Sequence, residues 1–289
     1  MTNKLKTAAL LAALSGLLIA ISHLVIKGTG GLIIGLILAA GINLFAWYQS
    51  DKIALGAYQA REVSPQAAPR LYDMVDRLSQ RANLPMPRVY IVPSQNANAF
   101  ATGRDPEHSA VAVTEGLMKI LPEEELEGVI AHELTHIANR DTLTQAVAAT
   151  IAGAIAHLGQ MLSYGMWFGG FSRDSDRRAN PLGIIATVIL APLAATIIQF
   201  AISRTREFSA DAGAARLTGN PRALAQALLR LEGTAEQIPM EANPAFGPLL
   251  IINSLSGKFL GNLFSSHPPT EERVNALLDI ERQIKPTGY

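Results

Sequence analysis

Two histidines and a glutamate stand out as groups that could do chemistry together: His132-Glu133-Leu134-Thr135-His136. On a helix, residues four apart share one face, one turn above each other. Both imidazoles can then reach a single metal ion at about 2.0–2.1 Å, the distance of nitrogen ligands from zinc. Glu133 projects about 100° round the helix from His132, beside such an ion rather than on it. A carboxylate there can take a proton from an attacking water and hand it to a departing amine. The HExxH pattern is a signature of this chemistry.

A catalytic zinc commonly has three protein ligands and an open position. The only thiol-free candidates are His, Asp and Glu, because the chain has no cysteine. Glu207-Phe208-Ser209-Ala210-Asp211 puts two carboxylates on one helical face. One of them can ligate the metal while the other accepts the ring N–H of a ligating histidine and so fixes its tautomer. The spacing alone leaves open which does which. A solvated helix face would show the same pair.

These groups need elements to hold them. Pro122 opens the helix that carries His132 to His136, with Glu123, Glu124 and Glu125 in its first turn. Proline at the first helical position and acids at the positive end of the helix dipole both favour that start. Before it, Pro69 to Ala82 reads as an amphipathic helix through Leu71, Met74, Val75 and Leu78. Arg88 to Val92 and Ala110 to Thr114 read as short strands, separated by Asn96 to Gly103. After residue 204 the pattern is mostly helical, with starts at Pro221 and Thr270.

The remainder of the chain is apolar. Of its 289 residues 49% are hydrophobic and 17% charged, against about 25% charged in ordinary globular domains. The mean hydropathy is +0.21. Apolar runs from Leu5 to Ile26 and Leu32 to Trp47 form an N-terminal membrane hairpin turning at Lys27 to Gly31. Trp47 and Tyr48 suit the bilayer interface. Two later runs, about Leu143 to Phe168 and Leu182 to Ile202, lie between His136 and Glu207. They must leave and return to the same side for those residues to meet. Lys4, Lys6, Lys52 and Arg61 flank the open side of the hairpin and point to the cytoplasm, whereas Arg173, Arg177 and Arg178 oppose that scheme if their loop is external. The net formal charge is zero, which offers nothing to nucleic acid. The expected organisation is a hairpin (1–50), a first catalytic part (51–142), two apolar segments (143–203) and a second catalytic part (204–289). The expected fold class is a mainly α integral membrane protein with a zincin-like α+β catalytic domain, built on a small antiparallel sheet and the HExxH helix.

Three motifs in order carry a resemblance: His132 to His136, Ser203 to Asp211, and Ser266-His267-Pro268-Pro269-Thr270-Glu271-Glu272-Arg273. Together with the hairpin and Asn98-Ala99-Phe100-Ala101, they resemble the HtpX group of membrane zinc proteases, whose wider family includes the CAAX prenyl proteases. The resemblance implies one Zn2+ per chain on His132, His136 and Glu207, with Glu133 as the catalytic base and Asp211 orienting His132. It implies that His267 and Arg273 assist the tetrahedral intermediate, and that Asn98, Ala99 and Phe100 belong to an edge strand that pairs with substrate. It also implies a cytoplasmic-membrane endopeptidase facing the cytoplasm, acting on polypeptides and associated with quality control of damaged membrane proteins under stress. The alternatives are a narrow processing or prenyl-type protease, which the short hairpin disfavours, and a non-catalytic zinc scaffold. The scaffold has no use for Glu133, since a structural zinc site is closed by four ligands. His23, His108 and His157 are each isolated and carry no such role.

Overall fold

The structure, a computed structural model, describes residues 3–26, 28–148, 150–151, 204–237 and 268–284. It opens with α1 (Asn3–Ile26) and α2 (Gly28–Ala57), an antiparallel pair with a far tighter turn than the five-residue one expected. Gly28 takes a φ of 73°, a conformation that suits glycine. The helices then pack closely: a Cβ on Gly35 would stand 2.7 Å from the Ile19 backbone. Asn43 donates to Ser15 Oγ at 2.8 Å across the pair, a polar tie of the kind that holds helices together in lipid. Within α2, Gly28–Gln49 is long and apolar enough to cross a membrane. Its side chains Ile33, Leu36, Ile37, Leu44 and Phe45 are left exposed, as lipid contact requires.

α2 does not stop where its apolar stretch stops. It continues to Ala57 because its last turns have a second surface to cover. Ala54 and Leu55 are buried with Tyr90, Val92, Phe100, Ala110 and Ala112 on one face of a sheet. Tyr58 packs on Phe100 with ring centroids 5.0 Å apart. The helical hairpin is thus continuous with the sheet.

The sheet has four strands in the order β1 (Arg61–Glu62), β2 (Arg88–Val92), β4 (Ser109–Thr114), β3 (Ala99–Gly103). It is mixed rather than antiparallel throughout, which corrects the expectation. The chain reverses between β2 and β3 and again between β3 and β4. β2 and β4 therefore run the same way, and β4 lies between the other two. β3 is an edge strand. The second face of the sheet packs on α3 (Pro69–Arg81) and α5 (Glu123–Ala138), which follows the short α4 (Glu115–Ile120). Leu71, Val75 and Leu78 of α3 meet Val111 and Val113 of β4 and Val129, Ile130 and Leu134 of α5 in one core.

α6 (Arg204–Thr218), α7 (Pro221–Gln237) and α8 (Thr270–Ile284) complete the described fold around α5. α6 comes very near α5: a Cβ on Gly213 would collide with the Thr135 side chain. Ala210, Ala214 and Ala215 keep the rest of that surface small and buried. α7 is held at the start of α5 by Arg230, which donates twice to buried Glu125 at 2.8 and 2.9 Å. The loop 169–181, His157 and nearly all of the two late apolar runs lie outside the described residues.

Candidate active site

α5 presents His132, Glu133 and His136 to the same interior space, all buried at 1–5% exposure. α6 meets it there with Glu207 and Asp211, also buried. The imidazole Nε2 atoms of His132 and His136 lie 3.2 Å apart. The Glu207 carboxylate faces both, its Oε2 3.7 Å from His132 Nε2 and its Oε1 3.7 Å from His136 Nε2. Ligands about 2.0–2.2 Å from one tetrahedral zinc are themselves about 3.3–3.6 Å apart, so this donor set fits that ion. Among the described residues, His132, His136 and Glu207 are the group of potential ligands close enough to share a metal, their donor atoms all within 4.8 Å.

Each histidine is fixed from behind. His132 Nδ1 is 2.9 Å from Asp211 Oδ1. His136 Nδ1 is 2.9 Å from Asp141 Oδ2. A carboxylate accepting from Nδ1–H leaves the Nε2 lone pair free to point at a metal. Asp211 is in turn gripped by Arg273 of α8, whose Nε and Nη2 donate to its two oxygens at 2.8 and 2.7 Å. Arg273 is itself 1% exposed. Asp141 has Arg206 behind it, with Nε 3.8 Å from Oδ1.

The charges in this interior are strongly coupled. Burial drives His132 down to about 4 against the pull of Asp211, so its ring is neutral at ordinary pH. Burial works the same way on His136, but Glu207 first and then Asp141 and Glu133 overcome it and hold the ring's pKa at about 9. A positive charge is therefore favoured between these carboxylates, which a dication satisfies as well as a proton does. Burial also pushes Glu133 up to about 7, with Glu207 adding to the effect. Burial would raise Asp211 too, but Arg273 holds it at about 2.

Glu133 touches the edge strand: its Oε2 accepts from the Ala101 backbone N–H at 2.8 Å. Antiparallel backbone groups alternate in direction along a strand. Ala101 thus faces the outer edge, and so does Gly103, whose carbonyl accepts from Thr142 Oγ1 at 2.9 Å. Ala99 shares that edge. Asn98 faces inward, its N–H on Thr114 Oγ1 at 2.9 Å and its carbonyl on the Thr114 N–H at 2.9 Å. Phe100 pairs inward with Ala112 and buries its ring against Tyr58.

The structure brings His132, Glu133, His136, Glu207, Asp211 and Arg273 together. Arg273 sits behind Asp211, on the Nδ1 side of His132. His267 lies outside the described residues. Asp141 and Arg206 were not anticipated. Asp141 follows the end of α5 in Asn139-Arg140-Asp141, which reads as a turn; its value to His136 depends on Arg140 adopting a φ of 56°. His108 lies at the surface against Asp105 at 2.6 Å, and His23 near the Gly28 carbonyl at 3.3 Å.

Comparison with known proteins yields concordant matches. The model of peptidase family M48 matches residues 65–281. The chain is 75% identical over 289 residues to a protease HtpX homolog of Nostoc punctiforme, covering 100% of both. It is 74% identical over 285 residues to a protease HtpX homolog of Trichormus variabilis, covering 98% of this chain and 99% of that one. Identity is 63% to a protease HtpX homolog of Acaryochloris marina, over 98% of this chain and 96% of the relative. Among solved structures, S. mikatae Ste24p is similar with a TM-score of 0.49 at 17% identity, over 95% of this chain and 65% of that one.

Proposed function

The chain belongs to peptidase family M48 and is a membrane metalloprotease, and from that premise we propose a zinc endopeptidase that cleaves polypeptides, membrane proteins among them, at the cytoplasmic face of the inner membrane. The observation that carries the reading is the buried triad of His132, His136 and Glu207 with Glu133 beside it. These three side chains would hold one Zn2+, and when bound the ion supplies Lewis-acid activation of the scissile carbonyl and of water.

The chain's own groups do the rest. Glu133, whose pKa of about 7 suits it to exchange a proton near neutral pH, takes the proton of the attacking water and delivers it to the leaving amine. An extended substrate adds to the outer edge of β3, where the Ala99 backbone faces. Asn98 and Phe100 serve that binding by anchoring β3 to β4 and to α2, with their own groups turned inward. Engaging the edge competes for the Ala101 N–H and frees Glu133 for proton transfer. Arg273 fixes Asp211, and its charge reaches both His132 and Glu133. It thereby favours negative charge developing in the same interior. We assign His267 to the same task, as a donor to that charge.

The hairpin supports a cytoplasmic orientation. The start of α1 is bonded to the catalytic region through Thr7 and Thr144, and the end of α2 packs on the sheet. Both ends of the hairpin therefore lie on the catalytic side, and their basic residues favour the cytoplasm. Substrates leaving the bilayer beside α2 arrive close to the edge strand, which suits clearance of damaged membrane proteins.

The test is reconstitution. Full-length protein in detergent, stripped with chelator, should cleave a quenched peptide library only after zinc is returned. Cleavage that persists in chelator with the metal shown to be gone would end the metalloprotease mechanism.

A further inference from the structure

His132 has a partner expected from a carboxylate one helical turn from Glu207. His136 has a different one, supplied from outside both motif helices. Asp141 follows the last turn of α5 and is 1% exposed. Its N–H bonds to the His136 carbonyl at 2.9 Å, closing the turn that swings its side chain back to His136 Nδ1 at 2.9 Å. The turn needs Arg140 in the left-handed region, φ 56°, which costs a non-glycine residue energy.

Asp141 is also a junction. Arg206, next to Glu207 on α6, stands 3.8 Å from its other oxygen. A further charge comes from the N-terminal hairpin: Lys6 of α1 is coupled electrostatically to both Arg206 and Asp141. The next residue, Thr7, is 2% exposed and its hydroxyl is 2.9 Å from that of Thr144, which is fully buried. The first turn of α1 is therefore seated on the chain three residues beyond Asp141.

We propose that Asp141 is a positioning residue for the zinc ligand His136, and that the opening turn of the first membrane helix, through Lys6 and Thr7, belongs to the structure that holds it in place. The inference rests on the zinc site proposed above and extends it. His136 would be aimed by a relay that runs from the hairpin to the metal, so that membrane anchoring and ligand geometry are linked.

A plainer role for Asp141 exists. Residues 142–148 are helical, and the Gln145 N–H bonds to the Asp141 carbonyl at 3.2 Å, so Asp141 sits where a helix N-cap would. The two roles separate by substitution. Serine and asparagine cap about as well as aspartate. Serine is too short to reach the imidazole, whereas asparagine keeps an acceptor oxygen at the same reach.

The experiment measures zinc affinity of the full-length protein in detergent by competition with a chelating dye, and the visible spectrum after Co2+ replacement. Asp141→Ser should lose about 10–100-fold in zinc affinity, the usual range for partners behind a ligand, and should alter the Co2+ bands. Asp141→Asn should recover much of that loss. Lys6→Met should lose about two- to fivefold, the scale of a partly exposed charge–charge interaction. Wild-type affinity and spectrum in Asp141→Ser would overturn the positioning role and leave only the cap. Unchanged affinity in Lys6→Met would remove the hairpin from the relay. If the unsubstituted chain bound no zinc, the metal site itself would fall, a result distinct from either.

Discussion

Replacing Glu133 with glutamine should do two opposite things to this protein. Glu133 is 5% exposed. Burial lifts its pKa from 4.5 to about 7. Below pH 4.5 the group is protonated whether the chain is folded or not, and it adds nothing to the pH dependence. Between those values the folded chain keeps a proton that the unfolded chain releases. Stability of the metal-free protein therefore falls as pH rises through that window and levels off above it. At about 1.4 kcal/mol per pKa unit, the cost at pH 8 is about 3 kcal/mol, shrinking below about 1 kcal/mol at pH 5. Glutamine cannot ionise and can still accept from the Ala101 N–H. Chelator-treated Glu133→Gln should therefore melt higher than wild type at pH 8, by about 5–10 °C, with little difference at pH 5. With zinc restored, the same variant should bind metal yet lose about 10²–10⁴-fold in turnover, the share a general base contributes. Thermal unfolding in detergent at the two pH values, with metal content and peptide cleavage on the same samples, covers every arm. A variant no more stable than wild type at pH 8 would refute the buried, proton-holding carboxylate. Cleavage near the wild-type rate would refute the base.

Two further outcomes separate the parts of the site. Glu207→Ala should leave the protein without zinc after dialysis, whereas Asp211→Ala should retain it with about 10–100-fold weaker affinity; the reverse order would exchange the two roles. A cysteine at exposed Ser64, in a chain with no native cysteine, should resist an impermeant thiol reagent added outside intact cells and react after lysis. Labelling from outside would overturn the cytoplasmic orientation. A cysteine at Ser175 tests the late apolar runs in the same assay, where external labelling means that both cross.

What could be read beforehand follows a physical line. His132 and His136 declare themselves because four residues on a helix bring side chains together whatever the tertiary fold. Glu207 and Asp211 share that local regularity, yet which one faces the metal depends on how α6 crosses α5, and that crossing turns on Gly213 and its alanine neighbours. The direction of β2 relative to β4 is invisible in Arg88 to Val92, since a strand's residues carry no record of which neighbour it will take. The end of α2 is a similar case: hydropathy stops at the bilayer, but Ala54 and Leu55 stay helical, with Tyr58 in the turn just after, to cover the sheet. Asp141 was hidden for a stronger reason. Its role needs a left-handed Arg140, a turn back toward His136, and a membrane helix arriving from 135 residues earlier in the chain with Lys6. None of these leaves a periodic trace. A site built on one helix can be read from spacing, but the residues that aim its ligands come from wherever the fold brings them. The hairpin that looks like a mere anchor in the sequence is tied through Thr7 to Thr144, three residues beyond the carboxylate that holds His136.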